Sequence, residues 1–381
     1  MTARPQPDKG YQGLRRPEAT LPSRFYYDPA QYEAELRAIW YRHWIYLCRA
    51  SDLPETRCFR CFKIGSQQVL LLRDESGHLR AFYNTCRHRG SALCETESGR
   101  FRAGRIVCPY HAWVYDLSGS LLKTSRLPDG FELEKESLSL YPVTVESWNG
   151  FVFVNLADIP ASSLLESLGE EAGLLDNWRM ESLAVAHRET HRVACNWKVF
   201  WENFLECLHC PGVHPDLCRL VPVYGRGVSS RSDLPENDPL RAVPRLRAGA
   251  TTWTANGQPL LPPLPGLTDE ERNEGMTFLT SLPSLYIVGH IDYVRSVRVS
   301  PVAPEATDIV IDWLVEPAGL VSGELDMDAL TGFGRQVVLE DARVCELNQQ
   351  GLRNPPHEHG ILMAQEADVA WFHDWLQSRL M

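Results

Sequence analysis

Two short stretches, Cys86-Arg-His88 and Cys108-Pro-Tyr-His111, decide how the first part of the chain is built, because each combines a thiol with an imidazole. Around them, short runs of β-branched and aromatic residues alternate with glycine turns, the pattern of small antiparallel sheets. We predict strands at 69–72, 81–84, 105–108, 113–115 and 151–155. Gly90 and Gly104 allow tight backbone beside the two pairs, with N–H groups pointing at the sulfurs. The pairs are therefore predicted to lie on loops of a compact β domain.

The mixed composition of the pairs distinguishes two kinds of metal site. Two thiolates and two imidazoles can hold a tetrahedral zinc, but zinc sites more often pair Cys with Cys and His with His. In a Rieske [2Fe–2S] centre two Cys hold one iron and two His hold the other, so each loop has to supply one ligand to each iron. The set that meets this demand is Cys86, His88, Cys108 and His111. The pattern favours the cluster and leaves a structural zinc as the alternative.

The other cysteines are interpreted as ordinary thiols. The 11 Cys are an odd number spread over a long chain, which favours reduced thiols over a disulfide framework. Cys58 and Cys61 enter a strand on opposite faces and are expected to be core thiols. Cys207 and Cys210, one on either side of His209, could also compete for a metal, but a role as small packing residues explains them at least equally well.

Length and charge narrow the class of protein. A chain of 381 residues fits one large or two ordinary domains, and its net charge of −11 argues against a nucleic-acid partner. It contains no run of apolar residues long enough for a membrane span, and the opening residues lack the apolar core of a signal peptide. We expect a cytoplasmic protein, without membrane contact, that acts on small molecules or other proteins.

A second group of polar side chains lies on a strong helix predicted from residue 196 onward. Asn203, Glu206 and His209 lie at steps of three and would share one stripe, which would attract a cation if it faces the interior. Pro211-Gly212 is expected to break the helix and turn the chain back. His214 could then meet His209.

These two imidazoles would suit a non-haem iron site, which uses two His and one carboxylate and leaves positions open for oxygen. A helix predicted over 326–351 supplies the carboxylate, because Asp341 shares a stripe with apolar residues and a buried unpaired carboxylate is costly. Glu340 is the local rival. Asp216, close to His214 in sequence, is a second rival that is better explained as a solvated turn residue. Asp341 is therefore our predicted third ligand.

Together these segments resemble the alpha subunits of Rieske non-haem iron ring-hydroxylating oxygenases over nearly the whole chain. The similarity lies in residues 86–90, 108–113, 196–214 and 340–346. It implies that the first four ligands hold one [2Fe–2S] cluster and that His209, His214 and Asp341 hold one mononuclear Fe(II). Ala112 departs from the family, which usually has Gly at this position.

The expected fold is α+β, with an antiparallel β Rieske domain and a catalytic domain of helix-grip type, an antiparallel sheet flanked by helices. Residues 1–44, an extended arm over 1–25 and a helix, are expected to pack with the catalytic domain. The Rieske domain is expected over 45–157 and the catalytic domain over 158–381, with strands at 183–193, 285–290, 294–301 and 307–316 and helices at 163–176, 326–351 and 366–380. Between 223 and 274 Pro, Gly and Arg dominate, which predicts a long loop that could cover a site.

Glu206 narrows the resemblance to one branch of the family. Most ring dioxygenases have Asp there, whereas choline, glycine betaine and carnitine monooxygenases resemble this chain in having Glu. In that branch the acid links cluster and iron across neighbouring subunits, which implies a homotrimer with electrons passing through His111, Glu206 and His209. Glu206 and Asn203 are the predicted catalytic residues. Since the chain has no Gly-x-Gly-x-x-Gly nucleotide loop, electrons are expected from a separate NAD(P)H-dependent flavin and iron–sulfur reductase.

Three functions stay open at this point. The first is an O2-dependent oxidation of a small quaternary-ammonium or N-methylated compound, by N-demethylation or hydroxylation next to nitrogen. The second is an aromatic-ring hydroxylase or O-demethylase with the same metals. The third, a non-catalytic Rieske electron carrier or zinc protein, would need only about the first 155 residues. Aromatic side chains that could cage a cation are Trp201, Tyr224, Trp253, Phe278, Tyr286, Tyr293 and Trp313.

Overall fold

The computed structural model of the chain describes residues 13–321 and 323–380. They divide into two compact units: one comprises the part up to Ile39 together with Glu170 onward, and the other is Trp40–Gly169. The divisions at 39/40 and 169/170 differ from the predicted boundaries at 44/45 and 157/158. Residues 1–12 of the predicted arm lie outside the described residues. Among the described helices, none is both long and apolar enough to cross a membrane.

The unit Trp40–Gly169 is built from antiparallel strands, as the sequence pattern predicts. One sheet has seven strands in the order Ile45–Arg49, Phe151–Asn155, Pro142–Trp148, Leu79–Tyr83, Gln67–Arg73, Cys58–Ile64 and Ser98–Arg100. A second sheet has three: Arg105–Val107, Val114–Asp116 and Leu121–Lys123. Leu70 and Phe82 from the first sheet share a buried cluster with Ile106 and Tyr115 from the second. This core positions the loops that follow Leu79–Tyr83 and Arg105–Val107.

The other unit is organised around an antiparallel sheet of five strands. Their order is Ala184–Val193, Ala306–Val315, Val294–Ala303, Leu285–His290 and Met276–Ser281. The helix Met327–Leu352 begins after Asp326, whose side chain accepts a hydrogen bond from the Ala329 N–H at 3.0 Å and so caps the helix. Four of the five strands of this sheet were predicted from the sequence, and so was the long helix. The edge strand Met276–Ser281 was not predicted.

Shorter helices and turns lie outside the sheets and the long helix. The α-helices are Pro29–Glu35, Trp197–Phe204, Cys210–Val213, Pro215–Leu220, Asp269–Glu274, Ala318–Val321 and Ala367–Leu380. The helix predicted over 163–176 is α-helical only at Leu164–Leu168 and continues as 3₁₀ turns over Gly169–Trp178. The predicted long loop contains three short 3₁₀ turns, Tyr224–Arg226, Arg231–Asp233 and Pro239–Ala242, before Asp269–Glu274.

The helix that leads to the predicted iron site is shorter than expected. Asn196 caps its start, accepting a hydrogen bond from the Lys198 N–H at 3.0 Å, but the helix ends at Phe204. The prediction of a continuous helix through His209, broken at Pro211-Gly212, is therefore wrong. Pro211 lies in the first turn of Cys210–Val213, where its missing N–H has no intrahelical acceptor to lose. Glu206 and His209 are positioned by a turn between helices.

Candidate metal centres

The two Cys/His loops have the same backbone design. In each, the cysteine N–H donates to the carbonyl five residues later, and the N–H four residues later donates back to the cysteine carbonyl. These distances are 2.8 and 3.0 Å in the loop of Cys86, and 2.8 and 3.1 Å in that of Cys108. The fourth residue has a positive φ in both loops, 75° at Gly90 and 56° at Ala112. This left-handed backbone favours glycine, so Ala112 occupies a position that suits its side chain poorly.

The loops bring their thiols together inside and their imidazoles together outside. Cys86 and Cys108 are each 2% exposed, whereas His88 is exposed and its Nδ1 lies 3.1 Å from the Nδ1 of His111. Burial raises the pKa of the Cys86 thiol, and the adjacent Cys108 thiol adds to the rise. Two neighbouring buried thiols ionise readily only if a cation lies between them. The donor set therefore fits one inner iron with two sulfurs and one outer iron with two nitrogens.

Aromatic side chains hold this arrangement. The Trp113 ring stacks on His88 with centroids 4.8 Å apart, and the Tyr115 hydroxyl lies 3.3 Å from the Cys86 sulfur. Gly104, predicted to allow tight backbone before the second pair, has a positive φ and also leaves room for the Glu75 carboxylate, which an added Cβ would strike.

The three predicted iron ligands converge in the other unit. The Nε2 of His214 lies 2.8 Å from Oδ1 of Asp341, and the Nε2 of His209 lies 3.4 Å from the same oxygen. One ligand atom from each of the three residues can be chosen so that all lie within 4.8 Å of one another. Asn203 donates from Nδ2 to Oδ1 of Asp341 at 2.7 Å. Two imidazoles and one carboxylate whose ligand atoms lie this close together are the donor set of a non-haem iron(II) site.

The opposite ring nitrogen of each histidine contacts a carboxylate. Nδ1 of His209 lies 2.5 Å from Oε1 of Glu206, and Nδ1 of His214 lies 2.7 Å from Oε2 of Glu340. Such contacts set the ring orientation and leave Nε2 for a metal. Glu340, the rival for third ligand, thus lies behind His214, and Asp216 contacts the amide of Gln336 at 3.1 Å instead.

The charges of the site depend on one another. Burial acts to lower the pKa of His209, but the carboxylates of Asp341 and Glu206 outweigh it and raise that pKa to about 9. The pKa of His214 is raised by Asp341 and Glu340 against burial, and the pKa of Asp341 is lowered by the two imidazoles against burial. A metal cation at this point would replace the protons that now balance the carboxylates.

The turn that carries His209 contains a disulfide. Cys207 and Cys210 are bonded to each other, contrary to the expectation that they are reduced packing residues. Glu206 also accepts hydrogen bonds from the Leu208 N–H and, at 3.3 Å, from the His209 N–H. These local contacts hold the Glu206 carboxylate against the backbone of the turn.

The aromatic residues predicted to cage a cation do not share a single set of ring contacts. Trp253 contacts Phe278 at 6.3 Å, Trp201 contacts Tyr286 at 6.1 Å, and the ring of Trp313 faces His187 at 5.6 Å.

Sequence reasoning missed a cation at Trp253. The Arg295 guanidinium lies over its ring, with 5.5 Å from its central carbon to the centroid. The signal that could have found Arg295 is a charged residue directly after Tyr293-Val294, at the buried start of a strand.

Comparison with protein families identifies the class. The catalytic domain of the ring hydroxylating alpha subunit family matches residues 180–381, and the Rieske [2Fe–2S] domain matches residues 43–140. The chain therefore belongs to the ring-hydroxylating alpha subunits. It is a Rieske oxygenase that uses O2, with a [2Fe–2S] cluster and a mononuclear iron, and the predicted two-domain fold is confirmed.

Individual relatives share a type of substrate. The chain is 27% identical to the glycine betaine monooxygenase oxygenase subunit of Pseudomonas aeruginosa, over 95% of this chain and 89% of that protein. It is 28% identical to choline monooxygenase of Beta vulgaris (95% and 77% covered) and 35% identical to the carnitine monooxygenase oxygenase subunit of Escherichia coli (54% of each). The crystal structure of the quaternary ammonium Rieske monooxygenase CntA with L-carnitine matches with a TM-score of 0.72 at 25% identity, covering 95% of this chain and 96% of that one.

Proposed function

We propose that this protein oxidises a small quaternary-ammonium or N-methylated compound at a carbon next to nitrogen. The observation that carries the proposal is the near full-length similarity to monooxygenases of glycine betaine and choline. Both substrates have a trimethylammonium group. Insertion of one oxygen atom into a C–H bond of such a methyl group gives a hemiaminal, which breaks its C–N bond to release formaldehyde and the demethylated amine. The second oxygen atom is reduced to water, which consumes two electrons and two protons.

We assign the metal ligands from the geometry of the two centres. Cys86, His88, Cys108 and His111 hold the cluster, and His209, His214 and Asp341 hold the mononuclear iron. When bound, this iron supplies the activation of O2, and the cluster supplies electrons one at a time.

The residues around the iron ligands fix their orientation and protonation. Glu206 and Glu340 hold the Nδ1 protons of His209 and His214, so the Nε2 atoms, which both face Oδ1 of Asp341, are the ones that would give up their protons to a bound metal. Asn203 donates to Asp341 and fixes the direction of its carboxylate. Glu206 also links the two metal centres of neighbouring subunits in a homotrimer, and a separate NAD(P)H-dependent reductase provides the electrons.

Turnover of a substrate panel tests this function. Anaerobically purified, iron-replete enzyme is combined with NADH and a surrogate reductase, and formaldehyde release and O2 uptake are followed with betaines, carnitine, choline and N-methylated amino acids. We expect formaldehyde stoichiometric with O2 for at least one member. Asp341→Ala should abolish the reaction, and Asp216→Asn, which changes the rival carboxylate, should preserve it. O2 uptake that no member stimulates would contradict the proposal and direct the search to aromatic substrates.

A further inference from the structure

A buried arginine without a counter-ion lies in the catalytic unit. Arg295, near the start of strand Val294–Ala303, is 3% exposed. Its Nη1 donates to the carbonyl of Gly334 at 3.1 Å, while its buried Nε has no hydrogen-bond partner. Within 13–321 and 323–380, no carboxylate forms an ion pair with it. A guanidinium stays charged in proteins, and buried charges are normally paired, so this position lacks a negative group.

Two more buried polar groups without partners lie beside the same tryptophan. His290 is completely buried, and neither of its ring nitrogens has a hydrogen-bond partner. The Trp253 ring lies 5.5 Å from the His290 ring, and its own Nε1 is also without a partner. Burial, followed by the charge of Arg295, keeps the pKa of His290 well below its usual value, so the ring is neutral and offers one N–H donor. Three side chains thus offer donors that nothing in the described chain accepts, and unmet buried donors are costly.

This cluster is connected to the predicted iron site by the long helix. Gly334 precedes Asp341 by seven positions, two helical turns on the same face and about 10 Å along the axis. A Cβ on Gly334 would lie 2.8 Å from Nη1 of Arg295, so the glycine makes room for the guanidinium.

The Tyr286 side chain interacts electrostatically with both Arg295 and Asp341. Burial raises the pKa of Tyr286, Arg295 acts to lower it, and Asp341 acts to raise it. The Tyr286 ring stacks on Phe204, the last residue of the helix that carries Asn203, at 3.9 Å. This ring pair therefore lies beside Asn203, whose amide donates to Asp341, and within electrostatic range of Arg295.

We propose that Arg295, with Trp253 and His290, binds a carboxylate of the substrate, which is therefore a zwitterion with an N-methylated nitrogen a few carbons from its carboxylate. This inference rests on the proposed function and specifies its substrate class. A guanidinium pairs with a carboxylate through two parallel hydrogen bonds, and His290 and Trp253 add neutral donors. A cation without an acidic group, such as choline, would meet like charge where Arg295 covers Trp253.

Binding measurements without turnover test this carboxylate anchor, the proposed site formed by Arg295, Trp253 and His290. Glycine betaine and γ-butyrobetaine are each compared with their carboxamides by calorimetry on the iron-loaded enzyme without reductant. We expect each carboxylate to bind about 10- to 100-fold more tightly than its amide. Arg295→Gln should remove most of this preference, and Arg295→Lys should retain part of it. Arg298→Gln, which removes a charge from the opposite face of the same strand, should leave the preference unchanged.

The outcomes separate this inference from the proposed function. If the enzyme binds betaines and their amides equally, the carboxylate anchor is wrong, even if both are demethylated. If no N-methylated compound binds, but benzoate-type acids bind to the wild type and not to Arg295→Gln, the anchor holds and the proposed function fails. The ligand-free melting temperature of Arg295→Gln should equal or exceed that of the wild type, because the substitution removes an unpaired buried charge. A lower value would indicate that Arg295 is structural, against the proposal.

Discussion

Removal of one buried carboxylate should loosen the helix that leads to the iron ligands. Glu35 and Lys198 are both fully buried, and Nζ of Lys198 lies 2.7 Å from Oε2 of Glu35. The Lys198 ammonium also donates to Oδ1 of Asn196 at 2.7 Å, while the same Glu35 oxygen accepts from Nε1 of Trp197 at 2.9 Å. Glu35→Gln leaves the ammonium buried without the carboxylate that pairs with it directly, which costs about 3–5 kcal/mol.

A thermodynamic cycle measures the pair itself. Lys198→Met should cost about as much as Glu35→Gln, whereas the double variant should lose much less, because both charges are gone. The coupling free energy should therefore be about 3 kcal/mol. Glu33→Gln, an exposed change on the same helix, should cost less than about 0.5 kcal/mol.

Hydrogen exchange by mass spectrometry is the appropriate assay, because a chain with two units and two metal centres does not unfold in one step. Amides of the helix Trp197–Phe204 report the local free energy of opening. Burial acts to lower the pKa of Lys198 and Glu35 acts to raise it, so in Glu35→Gln the folded state holds this proton less tightly than the unfolded state does. The Glu35→Gln defect should then shrink as pH rises. A cost below about 1 kcal/mol, or additive single variants, would refute the reasoning.

Three further substitutions test the metal centres and the sheet. Glu340→Ala removes the acceptor on Nδ1 of His214 and should weaken Fe(II) binding about 10- to 100-fold, measured by chelator competition. Ala112→Gly relieves a left-handed backbone worth about 1–2 kcal/mol, less about 0.5–1 kcal/mol of chain entropy, and should slightly raise the temperature at which the cluster absorbance is lost. The hydrogen bond from Arg335 is the main cause that lowers the pKa of Glu189 to about 2, so its stabilisation is complete above about pH 5 and is lost as pH falls towards 2. Glu189→Gln should remove about 1 kcal/mol of that pH-dependent stability in urea titrations.

Matched variants guard these three tests. Glu346 lies on the same helix as Glu340 but accepts a hydrogen bond from the Ala194 N–H, so Glu346→Ala should not change the affinity for Fe(II). If Glu340→Ala binds Fe(II) as tightly as the wild type, Glu340 does not orient His214. Gly90→Ala introduces the strain that Ala112→Gly relieves and should destabilise the cluster loop by about 1 kcal/mol. If the two loop variants shift stability in the same direction, backbone strain is not the cause. If the free energy of unfolding falls with decreasing pH in the same way for Glu189→Gln and the wild type, the ion pair with Arg335 contributes nothing measurable.

Features that depend on neighbouring residues were readable in the sequence. A Cys and a His on one loop are close however the rest folds, so Cys86 with His88 and Cys108 with His111 identified the kind of centre. Strand Phe151–Asn155 and helix Met327–Leu352 were predicted because long apolar periodicity and a capping Asp outweigh context.

Features that depend on tertiary contacts were not readable. The helix that begins after Asn196 ends at Phe204, although its sequence pattern continues to His209. The turn that follows is held by the Glu206 carboxylate and by the bond between Cys207 and Cys210. The edge strand Met276–Ser281 is short and follows an irregular segment, and its pairing with Leu285–His290 defines it.

The sequence alone determined which side chains could form each metal centre, because ligand type and local spacing are properties of the chain. The apolar stripe of the helix already favoured Asp341 over Glu340, but only the tertiary structure showed that Asp341 contacts both imidazoles and that Glu340 lies behind His214. Adjacent helical residues differ by about 100° in direction, so the packing of the long helix against the sheet selects between them. The same packing buries Arg295 without a carboxylate, since an ion pair requires two charges from distant parts of the chain to meet.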